Sequence, residues 1–253
     1  MLPVALFFFY GRLSCTESAT IHSMNEQPLS DNIAKLLKRV RLSAEKSQRC
    51  PDDILLLAVS KTRPADDIRA AHGCGLSEFG ESYLQEALEK ISALQDLDLV
   101  WHFIGPIQSN KTRAIASHFQ WVHSVDRAKI ARRLNEQRPS GLPPLQVCLQ
   151  VNISGETSKS GVSPQQLPQL AQEVSRLPQL QLRGLMAIPG ATPEEASQRQ
   201  AFAQLHTEFA LLRNQFPQLD TLSMGMSGDM EAAIAEGSTI VRIGSALFGP
   251  RNR

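Results

Sequence analysis

Lys61 follows directly on the nearly unbroken apolar run Ile54–Ser60 (ILLLAVS), so its stem starts at the mouth of a buried strand. Such a lysine is costly unless it has a partner or a task. Desolvation and nearby positive charge lower an ammonium pKa, and the neutral amine attacks carbonyls to form a Schiff base. The same position suits a lysine that snorkels to water or pairs with a loop carboxylate such as Glu81. A second signal is Gly225-Met226-Ser227-Gly228, ahead of a helix expected to begin near Asp229, with Gly244-Ser245 closing a later strand. Glycines admit close backbone approach and hydroxyls add donors, the makings of a phosphate cradle; glycines that only make tight turns are the plainer reading. A G-x-S-x-G nucleophile elbow fails here because position 229 is Asp. Arg242 lies inside the apolar strand VRI and needs an acceptor, either an aromatic nitrogen with a free lone pair or a barrel carboxylate. His102 in WHFIG suits a satisfied core histidine or a ligand contact. A lysine, a phosphate loop and an arginine together ask for a ligand with an aldehyde, a phosphate and an aromatic nitrogen, and pyridoxal 5′-phosphate carries all three.

The elements that must position these residues alternate in type. Eight short apolar runs read as strands: Ile54–Ser60, Leu76–Phe79, Val100–Ile104, Trp121–Ser124, Val147–Ile153, Leu182–Ile188, Thr221–Ser223 and Thr239–Ile243. Helical patterns lie between them at Pro64–His72, Glu81–Leu94, Asn110–Ser117, Asp126–Gln137, Pro164–Leu177, Pro193–Phe216 and Asp229–Glu236. That rhythm predicts a single-domain α/β (β/α)8 barrel, whose active face lies where strands end. Polar and small residues collect there: Ser60-Lys61-Thr62, Gly80-Glu81-Ser82-Tyr83, Gly105, Asn152, the SMGMSGDM stretch and Gly244-Ser245. An open doubly wound sheet is the competitor, but neither G-x-G-x-x-G nor G-x-x-x-x-G-K-[ST] occurs.

Composition narrows the class. The chain has 253 residues, 42% hydrophobic, with Lys plus Arg 26 against Asp plus Glu 25. A net charge of +1 provides no field for nucleic acid or an anionic membrane. Four scattered cysteines without a C-x-x-C pair fit neither zinc nor a disulfide framework, and point to a reducing, cytoplasmic setting. The apolar run Leu2–Tyr10 is too short to span a bilayer as a helix and lacks the basic start of a secretory signal. Residues 1–23 read as an extension from an overlong start, with 24–253 as the barrel domain, opening on a Ser30/Asp31 helix cap.

The stretches LLAVSKT (Leu56–Thr62), FGESY (Phe79–Tyr83), WHFIGPIQSNK (Trp101–Lys111), TSKSG (Thr157–Gly161), RGLMAIP (Arg183–Pro189) and SMGMSGDMEAAIAEGSTIVRIGSALFG (Ser223–Gly249) resemble the YggS/PROSC family of pyridoxal phosphate homeostasis proteins. The resemblance spans Asp31 to Gly249. It implies a fold-type III barrel like the N-terminal domain of alanine racemase, with pyridoxal 5′-phosphate held as an aldimine on Lys61. It places the phosphate on Ser223, Met226, Ser227, Gly244 and Ser245 and Arg242 opposite the pyridine nitrogen, with Ser82, His102 and Met186 as further cofactor contacts. Three positions depart from the family's pattern: Ser82 stands where Asn is usual, Ser245 where Thr is, and Gly228 where Asp is. A shorter Ser82 leaves a contact to water, so wetter binding is expected.

An amino-acid racemase is the rival reading. Racemisation needs a second base, which in that fold comes from a separate domain after the barrel. Only Tyr10 and Tyr83 exist, and the chain ends about ten residues past the eighth strand. A Schiff-base aldolase barrel is a third class, distinguished by having no cofactor absorption band. The expected role is storage and protection of the cofactor and its delivery to apo-enzymes, by a monomer without robust catalysis of its own. Lys159 in TSKSG is either a second docking point or an exposed loop lysine.

Overall fold

The leucine-rich and β-branched runs form eight parallel strands in a computed structural model that describes residues 26–156 and 159–250. These are β1 (Leu55–Val59), β2 (Glu78–Glu81), β3 (Val100–Phe103), β4 (Trp121–Val125), β5 (Leu145–Gln150), β6 (Leu180–Met186), β7 (Thr221–Ser223) and β8 (Ile240–Ile243). They close into a barrel in chain order, which excludes the open sheet. Helix α1 (Glu26–Lys46) precedes them. Helices α2 (Ala65–Gly73), α3 (Leu84–Ala93), α4 (Thr112–His118), α5 (Ala128–Gln137), α6 (Leu167–Ser175), α7 (Glu195–Arg213) and α8 (Met230–Ala235) alternate with the strands, and α9 (Ser245–Phe248) follows the last. Residues 1–23, set apart above, lie outside the described residues.

Strand alternation divides the barrel into two environments. Leu56, Ala58, Phe79, Trp101, Phe103, Val122, Leu222 and Val241 point outward into one core with Ile68, Ile115, Ile130, Leu134 and Phe202 of the helices. The intervening Leu57, His102, Cys148, Met186, Ser223 and Arg242 are buried on the inner side. Closure comes from β1 on β8, where Leu57 pairs with Arg242 and Ala58 with Ile243. The loops after these strands, from opposite ends of the chain, therefore emerge side by side.

Several expected boundaries need correction: β5 is Leu145–Gln150 and β6 is Leu180–Met186, each beginning two residues before the expected Val147–Ile153 and Leu182–Ile188. Helix α1 starts at Glu26, so Ser30 and Asp31 lie within it instead of capping it. Strand two runs Glu78–Glu81, not Leu76–Phe79, because its pairing with β3 sets Glu78 opposite Val100 and Glu81 opposite Phe103. The polar side chains there were uncharacteristic of a strand, but each finds a buried or half-buried partner.

One glycine is dictated by the sheet. Where the β5–β6 register shifts, Gly184 packs so near β7 that a Cβ would stand 1.8 Å from the Thr221 carbonyl oxygen. Gly184→Ala is expected to lower the urea midpoint by the equivalent of about 3 kcal/mol, the upper end of overpacking costs. Gly73→Ala, where the new methyl meets nothing within 4 Å, should leave the midpoint unchanged or raise it slightly; equal losses in both variants would contradict the packing account.

Candidate cofactor site

Lys61 is half-buried in the turn that leaves β1. It lines a small pocket at the C-terminal mouth with Val59, Arg63, Gly244, Ser245 and Gly249. Arg63 pins the far side of this pocket, since its Nη2 donates to the Gly249 carbonyl at 2.5 Å and to the Pro250 carbonyl at 2.9 Å. An amine, a guanidinium, a hydroxyl and a glycine backbone converge there, a donor set that suits an anion beside an electrophilic carbon. Glu81, considered above as a partner for Lys61, faces outward from the barrel and takes Lys90 Nζ at 2.7 Å instead.

Arg242 is buried inside the barrel. Its Nη1 donates to the Ser223 carbonyl at 2.5 Å and to Ser223 Oγ at 2.8 Å, and its Nη2 to the Ala187 carbonyl at 2.9 Å. Carbonyls and a hydroxyl thus take the place of a barrel carboxylate, one of the two acceptors considered above. Burial lowers the guanidinium pKa to about 10, against the pull of Asp229, so Arg242 stays charged at neutral pH.

From Ser223 a line of hydrogen bonds crosses the interior. Ser223 Oγ lies 2.7 Å from His123 Nδ1, His123 Nε2 lies 2.9 Å from His102 Nδ1, and His102 Nε2 lies 2.5 Å from Glu78 Oε2. His102 also stacks on Trp121, ring centroids 5.4 Å apart and 7° from parallel. Burial pushes both histidines below the ordinary range, His123 the further because His102 and Arg242 stand beside it. With both rings neutral, one assignment satisfies every contact. Arg242 donates to Ser223, Ser223 to His123 Nδ1, His123 Nε2 to His102 Nδ1, and His102 Nε2 to the Glu78 carboxylate.

Several of the expected contact residues already have partners within the protein. His102 has both ring nitrogens engaged and is a satisfied core histidine. Ser223 is fully buried, and its Oγ lies 2.7 Å from His123 Nδ1 and accepts from Arg242 Nη1 at 2.8 Å, so its hydroxyl already has two protein partners. The Met226 amide is taken by Asp229 Oδ1 at 2.6 Å, and its side chain is exposed. Gly225, at φ +95°, is required because a Cβ there would come 2.5 Å from Ala233 Cβ. Of the expected phosphate set, Gly244 and Ser245 lie on the Lys61 pocket, and Ser227 is half-buried in the neighbouring turn. Met186 is wholly buried at the end of β6, and Ser82 is half-buried just past β2. Lys159 is half-buried and bonds Glu156 Oε1 at 2.7 Å across its own loop.

Residues 32–252 match the family described as alanine racemase, N-terminal domain. The "Pyridoxal phosphate homeostasis protein" of Pseudomonas aeruginosa is 63% identical over 224 residues, covering 88% of this chain and 96% of that one. The chain belongs to the pyridoxal phosphate homeostasis protein family. The protein of the same name from Escherichia coli K12 is 51% identical over 227 residues, 88% of this chain and 97% of its own. Among solved structures, PipY of Synechococcus elongatus PCC7942 with PLP bound is 40% identical, with a TM-score of 0.76 over 87% of this chain and 100% of that one. Alanine racemase from Corynebacterium glutamicum, at 18% identity and a TM-score of 0.64 over 90% of this chain and 62% of that one, shares the fold.

Within this family member the sequence reading passed over Arg63 and His123. Arg63 was hidden in a loop, where a basic residue reads as solvated. His123 had the same signal as His102, a histidine inside an apolar strand, and pairing of β3 with β4 is what joins the two.

Buried neutral histidines make stability depend on pH in a fixed direction. The folded pKa values lie below the unfolded value of about 6.5, so acidification protonates the unfolded chain first and folding loses stability as pH falls through that value. The urea midpoint should decline between about pH 7.5 and 5.5. His123→Phe should cost about 1–3 kcal/mol at the upper pH, by leaving Ser223 and His102 unpartnered, yet show a shallower decline. An equal slope in both proteins would mean that these histidines are not held neutral.

Proposed function

We propose that this chain binds pyridoxal 5′-phosphate at the C-terminal mouth of the barrel, anchored on Lys61, and stores and releases it to apo-enzymes without turning over a substrate of its own. The observation that carries this reading is the single pocket shared by Lys61, Gly244 and Ser245, two residues along β8 from the charged Arg242. Family membership and the structure of PipY with PLP bound support it. The cofactor supplies an aldehyde that a lysine amine captures reversibly. Around it, Gly244, Ser245 and Ser227 would hold the phosphate. Arg242, fixed in its charged state, would favour an unprotonated pyridine nitrogen and so weaken the ring as an electron sink.

Carriage in preference to racemisation is supported by Tyr83. It is the only tyrosine among the described residues, stands 54% exposed at the start of α3, and is poorly held for a second base over the mouth.

The deciding measurement is an absorption spectrum of the purified protein before and after borohydride, with peptide mass mapping and an assay of amino-acid racemisation. The expected result is a cofactor band fixed by reduction onto Lys61, absent from Lys61→Ala, and no racemisation above background. A protein that stays colourless and unmodified after incubation with pyridoxal 5′-phosphate would overturn the cofactor reading. A band accompanied by robust turnover would favour the racemase-like alternative.

A further inference from the structure

The two residues that flank Lys61 are gripped from outside the barrel. Ser60 is fully buried and faces the helices; its Oγ donates to Glu81 Oε1 at 2.7 Å, and its carbonyl accepts from Lys90 Nζ at 2.7 Å. On the other side, the Thr62 backbone N–H donates to Glu86 Oε1 at 2.5 Å. Lys90 of α3 joins these contacts, since its ammonium also donates to Glu81 Oε1 at 2.7 Å and to Glu86 Oε1 at 2.5 Å. Its three N–H groups thus meet three acceptors while the side chain is 6% exposed, an expensive placement unless the geometry is needed.

What the grip opposes is visible in the backbone. The Arg63 N–H donates to the Ser60 carbonyl at 3.0 Å, closing a turn with Lys61 second and Thr62 third. Thr62 has φ +65°. A positive φ at the third position is the type II arrangement, which glycine or asparagine ordinarily fills and a β-branched residue resists. Strain of this kind persists only where surrounding contacts over-determine it.

We propose that Glu81, Glu86 and Lys90 form a clamp that holds the Ser60–Arg63 turn in its strained conformation and so positions Lys61 for covalent capture of its ligand. These are positioning residues acting through the backbone on either side of the lysine. Released, Thr62 would relax to negative φ and rotate the Lys61 side chain away from Gly244 and Ser245. The proposal rests on Lys61 being the covalent anchor, and its test separates the two claims.

The test uses Glu86→Ala, Thr62→Gly and the double variant of the full chain, each treated with pyridoxal 5′-phosphate and quenched with borohydride at timed intervals. Glu86 is the half-exposed member, so its removal is the substitution best tolerated by folding. Glu86→Ala is expected to capture the cofactor at Lys61 about tenfold more slowly than wild type, the scale of a released backbone strain. The double variant should return to within about threefold of wild type, because glycine adopts positive φ without the clamp. Wild-type rates in Glu86→Ala would overturn the proposal, as would a slow double variant, which is what a merely structural role for Glu86 gives. Amide hydrogen exchange at Thr62 supplies a readout independent of the ligand, with protection expected in wild type and lost in both Glu86→Ala and Lys90→Met. Unchanged protection in both variants overturns the clamp. A wild-type chain that gains no borohydride-fixed mass at Lys61 overturns the anchor reading instead, and the exchange result then decides the clamp by itself.

Discussion

The parallel pairing of β1 with β8 is the contact on which the rest of the structure depends. It is the last pairing in chain order and the only one that joins the two ends of the barrel. Its register, Leu55 to Ile240 through Ala58 to Ile243, fixes which residues meet at the mouth. Slipping it by one residue would turn Arg242 out of the barrel and replace it with an apolar neighbour, since side chains alternate faces. The Arg63 bonds to the Gly249 and Pro250 carbonyls reinforce the seam just beyond the strands. A site assembled across this seam exists only in the closed barrel, so integrity of the fold and of the pocket are one property.

Inside the barrel the packing is mixed. Barrel interiors are commonly filled by layers of branched apolar side chains, and here apolar residues such as Leu57, Cys148 and Met186 share that work with His102, His123, Ser223 and Arg242. A buried polar group without a partner costs more than a methyl group lost, so such a core is tolerable only when every member is satisfied. The four are. Burial raises the Cys148 thiol to about 12, keeping it protonated and unreactive beside them. The single buried side-chain polar atom without a hydrogen-bond partner among the described residues, Glu81 Oε2, lies on the other side of the sheet, in the cluster that grips the Lys61 turn.

Much of this was legible in the sequence because it rests on short-range pattern. Runs such as ILLLAVS and VCLQVNI announce themselves as strands, give or take two or three residues at their ends, and the lysine and glycines at strand ends follow from the barrel rule. The beginning of α1 and the placement of β2 were not legible, for one reason: each is decided by a partner far along the chain. Helix α1 extends past its apparent cap, with Leu29 ahead of Ser30 packed against the core, and Asn32 and Arg39 beyond the cap bond the Leu247 carbonyl at 3.1 Å and Glu231 at 2.7 Å. Strand β2 takes in Glu78 and Glu81 because His102 and Lys90 receive them. Nothing in the sequence marks Lys90; only its position opposite Glu81, set by how α3 lies on the sheet, makes it a buried ammonium. Ser223 and Met226 were placed on the phosphate by family resemblance, and the hydrogen bonds that already engage them are tertiary facts.

The line from Arg242 to Glu78 has a direction. Every donor in it points away from the mouth, so no single link can be reversed without setting two donors or two acceptors face to face. Substitution at a middle position, His102, His123 or Ser223, is therefore never a local event; it must be matched next door or absorbed as a gap. Only the Glu78 end, which reaches the partly exposed N-terminal side of the barrel, can hand its role to water. Relatives that drift apart in sequence should consequently vary first at that end and keep or exchange the interior members as a set, a grammar imposed by proton placement alone.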